Sequence, residues 1–193
     1  MRTLILVKHA MPALEPGIPS REWRLSDAGR ARCIPLTDRL AAYAPVAIAA
    51  SAEPKATETA RIVADRLGMP LSVVAGLHEN DRTGLGWLGA AELAATIARF
   101  FAEPDRRIMG AETADEAHAR FAAAVAGLCD RHPTGNIVIV AHGTVITLLV
   151  SRLAGMEPFL LWKRLGLPSF VAVALPGGEI VALVDSVPDA PYD

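Results

Sequence analysis

The sequence predicts an α/β protein, a three-layer α/β/α sandwich with a mainly parallel central sheet and an antiparallel C-terminal hairpin. Three observations carry this expectation. Apolar runs at Thr3 to Val7, Val46 to Ala50, Leu71 to Val74 and Ile137 to Ala141 have the length and composition of buried strands. Helical stretches separate them, the alternation expected of parallel strands covered by helices on both faces. Near the end, SFVAVALPGGEIVALVDS reads as two strands around Pro176, Gly177 and Gly178, a hairpin that adds antiparallel pairing.

Punctuation supports each element in turn. After the first strand, Ser26 is placed to cap a helix running toward Tyr43, within which Pro35 is expected to cause a kink or an early end. The second strand is followed by a helix whose segment ARIVADRL stops at Gly68, a residue suited to the left-handed position past a helix end. Thr113 and Glu116, in TADE, form a capping box opening a helix that reaches about Arg131. The last parallel strand and the hairpin follow.

Composition narrows the function classes. A chain of 193 residues favours one domain, residues 1–193, with one sizeable core. The net charge is −2, and the 19 basic residues are scattered rather than clustered, which argues against a nucleic-acid or anionic-membrane surface. The N-terminal apolar run between Arg2 and Lys8 is too short for a secretory leader. The longest apolar stretch, IVIVAHGTVITLLV, is broken by His142, Gly143 and Thr144 and is too short to span a bilayer. A cytoplasmic protein is expected. Cys33 and Cys129 lack metal-type spacing and read as reduced core residues.

Two places share one local grammar. LILVKHA and IVIVAHG each run a buried-type strand straight into a histidine and then a small residue. In a doubly wound sheet, ligands sit beyond the carboxyl ends of the strands, so His9 and His142 are expected to share a site. A small residue after each lets a ligand approach the backbone.

These and four further segments resemble the histidine phosphatase superfamily, which includes the cofactor-dependent phosphoglycerate mutases. LVKHAMP is similar to the family's strand ending in Arg-His-Gly, with lysine and alanine substituted. SAEPKATETA, Ser51 to Ala60, matches Ser-x-x-x-Arg-Ala-x-x-Thr-Ala, again with lysine for arginine. LHENDRTGLGWLG places the family's acid at Glu79, and AHGTVI matches the second histidine motif. LSDAGRARC and AET, Ala111 to Thr113, echo weaker family segments.

The resemblance implies a phosphatase that hydrolyses a small phosphomonoester through a phosphohistidine on His9. The chemistry fits those residue types. A neutral imidazole attacks phosphorus in line and splits one hard displacement into two easier ones. Charge on the transferred group then calls for positioned cationic donors, which Lys8, Lys55 and His142 supply. Glu79 protonates the leaving oxygen and later deprotonates the attacking water, provided burial or bound phosphate raises its pKa. No metal and no cofactor is expected, and the sequence commits to no oligomeric state.

Both family arginines are lysine here, although only three of the 19 basic residues, Lys8, Lys55 and Lys163, are lysine. Arginine fixes two phosphate oxygens with a planar fork, whereas lysine offers a point charge on a flexible stem. Arg21, Arg24 or Arg82 from adjoining loops would restore a fork, with Arg21 and Arg24 preferred because they follow the His9 loop. The alternative is a weakly active or non-catalytic member of the same fold that binds a phosphorylated ligand. His9, His142 and Glu79 also make a reasonable zinc set, but Lys8 and Lys55 would repel a dication. His118 and His132 read as helix-surface residues and His78 as a neighbour of the acid, while Trp87 either walls the pocket or packs under the glycine-rich loop.

Overall fold

The computed structural model describes residues 2–188. Its first strand, β1 (Arg2–Lys8), is followed by a 3₁₀ turn at Ser20–Glu22, then α1 (Asp27–Ala41), β2 (Pro45–Ala50), α2 (Pro54–Leu67) and β3 (Leu71–Val73). Next come α3 (Ala90–Ala102), α4 (Ala114–Arg131), β4 (Asn136–Ala141), α5 (Gly143–Ala154), α6 (Pro158–Arg164), β5 (Ser169–Leu175) and β6 (Ile180–Val184). The strands form one six-stranded sheet in the order β3-β2-β4-β1-β5-β6. Pairs β2/β3, β2/β4 and β1/β4 are parallel, while β1/β5 and the β5/β6 hairpin are antiparallel. This is the α/β architecture expected from the sequence.

Strand periodicity divides the core into two layers. Leu4 and Leu6 of β1 face a cluster holding Phe100 of α3, Phe121 of α4, Val145 of α5 and Leu161 of α6. Ile5 and Val7 face the opposite cluster, with Leu36 and Leu40 of α1 and Val63 of α2. Phe100 and Phe121 are fully buried, and truncation of either to alanine is expected to cost about 3–5 kcal/mol.

The caps form as the sequence indicates. Ser26 Oγ accepts from the Gly29 N–H, Gly68 ends α2 in the left-handed conformation, and Thr113 and Glu116 complete the capping box of α4. Pro35 does not bring the early end that was one of the two expectations for it: α1 runs through it to Ala41. The proline withdraws a donor from the carbonyl of Ala31, but Ala31 is exposed, so that carbonyl can be hydrated. Among the described residues no helix is long and apolar enough to cross a membrane.

The topology decides where the chemistry sits. β1 and β4 are central neighbours, with Lys8 opposite Ala141 in the parallel register. The next residues along are His9 and His142, and the His9 N–H donates to the Ala141 carbonyl at 3.1 Å. Both histidines therefore emerge at one edge of the sheet, at the carboxyl ends of their strands.

Candidate active site

The two imidazoles meet edge to face, with ring centroids 5.2 Å apart and planes inclined by 62°. They are held by different nitrogens. His9 Nδ1 lies 2.8 Å from the carbonyl oxygen of Ala10. A carbonyl only accepts, so Nδ1 carries the proton and Nε2 keeps the lone pair. His9 is 7% exposed, and burial, then the neighbouring His142 and Lys55, hold its pKa well below the usual histidine range. A neutral ring with a free Nε2 is a nucleophile at neutral pH.

His142 is fully buried and starts α5 as its N-cap residue. Its Nε2 lies 2.9 Å from Ser51 Oγ, and burial depresses its pKa to about 3 against the opposing pull of Glu79. Among the described residues its Nδ1 has no hydrogen-bond partner. Gly143, next in the chain, is small for a reason internal to the protein: a Cβ there would sit 3.1 Å from Lys8 Cε. The Lys8 stem runs across that surface and its Nζ donates to the Leu165 carbonyl at 2.5 Å. Burial lowers the Lys8 pKa to about 8, with Glu79 opposing and Arg82 assisting.

Lys55 is buried at the start of α2 and equally occupied. Its Nζ donates to the Ser20 carbonyl at 2.5 Å and to Glu53 Oε2 at 2.6 Å. Neither lysine is therefore an idle charge, and each is fixed by protein oxygens in the manner of a positioned donor.

Glu79 sits on the N-terminus of α5. Its Oε2 accepts from the Thr144 N–H at 3.2 Å and its Oε1 from the Val145 N–H at 3.3 Å, positions where the helix dipole favours an anion. Burial pushes its pKa up, but Arg82, His142 and the Thr144 amide outweigh that, and the net shift is downward. The sequence-based condition for an acid, a raised pKa, is not met in the free protein.

Arg82 is the arginine that reaches this centre. Its Nη2 lies 3.4 Å from Glu79 Oε2 and 3.2 Å from Thr144 Oγ1, and its Nε donates to Asn80 Oδ1 at 3.3 Å. The fold presses it inward: Gly110 has φ +80°, and a Cβ there would overlap the Asp81 carbonyl and stand 2.7 Å from Arg82 Cα. Arg21 stays at the rim, 3.4 Å from Thr83 Oγ1. Arg24 lies outside, paired with Glu58 at 2.9 Å with its side chain 71% exposed. The preference for Arg21 and Arg24 over Arg82 thus differs from the geometry, because proximity in sequence to the His9 loop does not decide which side chains point inward.

Sequence reasoning passed over two further residues. Glu53 stands inside the pocket, its Oε1 accepting from the Glu79 N–H at 2.9 Å. Arg120 of α4 makes a two-pronged pair with Glu112 at 2.8 Å and donates to the carbonyls of Gly76, His78 and Glu79. That grip fixes the loop bearing the acid. The signal for Glu112 was the AET echo, and Glu53 lay within the Ser51 to Ala60 motif itself. His118 and His132 are half-buried at α4, and His78 is exposed beside the acid. Trp87 is exposed and tilts against Trp23, ring centroids 6.0 Å apart, at the mouth between the first loop and the acid loop.

A strand-end pair of histidines, one held through Nδ1 and the other through Nε2, with fixed cations and a carboxylate on a helix N-terminus around them, has the chemistry to accept and pass on a phosphoryl group. Residues 4–182 match the histidine phosphatase superfamily, branch 1. The chain belongs to that superfamily and is a phosphomonoester hydrolase of its kind. It is 31% identical over 183 residues to the glucosyl-3-phosphoglycerate phosphatase of Mycolicibacterium vanbaalenii, covering 86% of this chain and 80% of that one. In fold it resembles Bacillus stearothermophilus YhfR, with a TM-score of 0.74 at 24% identity over 95% of this chain and 96% of that one. It also resembles the phosphoserine phosphatase of Entamoeba histolytica, solved with 3-phosphoglyceric acid, with a TM-score of 0.73 at 18% identity over 95% and 97% of the two chains.

Proposed function

We propose that His9 Nε2 attacks the phosphorus of a small phosphomonoester while the ester P–O bond breaks and the leaving oxygen takes a proton from Glu79. Water then attacks the phosphohistidine, the N–P bond breaks, Glu79 takes the water's proton, and inorganic phosphate departs. The observation that carries this reading is the His9 tautomer: Nδ1 is spent on the Ala10 carbonyl, so Nε2 is the nitrogen left for phosphorus.

Charge balance supplies the acid. A dianionic phosphomonoester brings its two negative charges beside the Glu79 carboxylate, and neighbouring like charge raises a carboxyl pKa. A phosphoryl group also competes with Glu79 for Arg82 and the α5 amides, the groups that hold it ionised. Substrate binding therefore draws a proton onto Glu79, where the reaction needs it. Arg82 takes the place of the missing motif arginines as the planar donor, with Lys8, Lys55 and His142 as supporting donors and Arg21 at the rim. The name of the 31% identical relative puts glucosyl-3-phosphoglycerate first among substrates to assay. The free thiols Cys33 and Cys129 fit a cytoplasmic setting.

The acid role is tested by leaving-group dependence. Glu79→Gln is expected to lose about 10²–10⁴-fold in kcat on alkyl phosphates and much less on aryl phosphates, whose leaving oxygen needs little protonation. An equal loss on both removes Glu79 from that role.

A further inference from the structure

Glu53 is the charged group in the pocket to which the reaction above gives no part. Its side chain is 11% exposed. Oε2 takes Lys55 Nζ at 2.6 Å, while Oε1 accepts from the Glu79 N–H at 2.9 Å and stands 3.5 Å from His142 Nε2. An ammonium, a backbone N–H and an imidazole edge gathered around two oxygens are a donor set that suits a phosphoryl group equally well. A second observation concerns the backbone. Glu53 is the N-cap residue of α2, yet its side chain makes no capping hydrogen bond, so its withdrawal costs that helix no cap.

We propose that Glu53 is an internal competitor for the phosphate subsite, occupying Lys55, the Glu79 amide and the edge of His142 until a phosphoryl group displaces it. The consequence falls on ground states. Substrate and product phosphate are each bound against this carboxylate, which weakens uniform binding and hastens phosphate release without subtracting from stabilisation specific to the transition state. A carboxylate that served only to anchor Lys55 would need one oxygen on the ammonium. Here the other oxygen covers two more groups of the site.

The inference rests on the phosphatase reading, and titration of inorganic phosphate separates the two. Isothermal titration calorimetry is carried out on the wild type, Glu53→Gln and Glu53→Ala, with thermal melts followed by circular dichroism to establish that each is folded. Glu53→Gln is expected to bind phosphate about tenfold more tightly, to lower KM and to leave kcat unchanged or reduced. Glu53→Ala is expected to move affinity the same way and supplies the answer if the glutamine variant does not fold. A purely anchoring Glu53 has the opposite signature, because freeing Lys55 from its tether weakens phosphate binding. Unchanged or weaker binding in folded variants overturns the competitor. Absence of phosphate binding in wild type and variants alike overturns the phosphatase reading, and the competitor with it.

Discussion

The two strand-end histidine loops begin alike and finish differently. VKHA and VAHG leave adjacent parallel strands at the same level of the sheet. After His9 the chain wanders through an irregular loop to Ser26, whereas after His142 it enters α5 at once. His9 is therefore fixed through its own neighbour's carbonyl by Nδ1 and keeps Nε2 free, while His142 is sealed beneath a helix and spends Nε2 on Ser51. One grammar yields a histidine held through Nδ1 and a histidine held through Nε2, and the difference comes from what each loop packs against.

The largest effects should fall on His9, the proposed nucleophile. His9→Asn is expected to lower kcat by at least about 10⁴-fold, and His142→Asn by about 10²–10³-fold, the loss typical of removing one positioned donor. Initial rates on an aryl phosphate check both. Equal losses would erase the distinction between the two loops.

The arginines sharpen the comparison at a smaller scale. Arg82→Ala is expected to lower kcat/KM about ten- to 150-fold, the range for a charge-assisted hydrogen bond of roughly 1.5–3 kcal/mol. Arg24→Ala should leave kcat/KM within about twofold, since an exposed ion pair contributes little. A larger effect at Arg24 than at Arg82 would place the phosphate fork on the His9 loop instead of the acid loop.

Lys8 gives a modest effect that is the most pH-specific. Its pKa is lowered to about 8, so the ammonium is present below that pH and lost above it. KM for an aryl phosphate should accordingly rise about three- to tenfold as pH climbs through about 8, with no such limb in Lys8→Arg, which stays charged. KM is the quantity to follow, because the proposed part of the Lys8 ammonium is to hold the phosphoryl group.

How much of this was written locally explains what could be read from the sequence. His9, His142, Ser26, Gly68 and the Thr113/Glu116 box are defined by neighbours a few residues away, so strand ends and caps are legible. The sequence ranks Arg24 above Arg82 and the geometry reverses that order, because their directions depend on Gly110 admitting the backbone of Asp81 and Arg82, and on Glu58 one helix away. Glu53 is harder still. A glutamate at the start of a helix reads as an ordinary response to the helix dipole, and only the fold reveals that it turns from the helix toward Lys55 and His142. Arg120 likewise acts on carbonyls more than 40 residues away in sequence, for which helix periodicity has no marker.

The central claim is that the free Nε2 of His9 carries the phosphoryl group. Quench of a reaction with a radiolabelled phosphomonoester in alkaline detergent, followed by separate alkali and acid treatment of the denatured protein, tests it directly. The wild type should retain base-stable, acid-labile label located by peptide mapping at His9, His142→Asn should retain it at lower yield, and His9→Asn should retain none. Label persisting in His9→Asn, or mapping to His142 in the wild type, would contradict the assignment of the two loops.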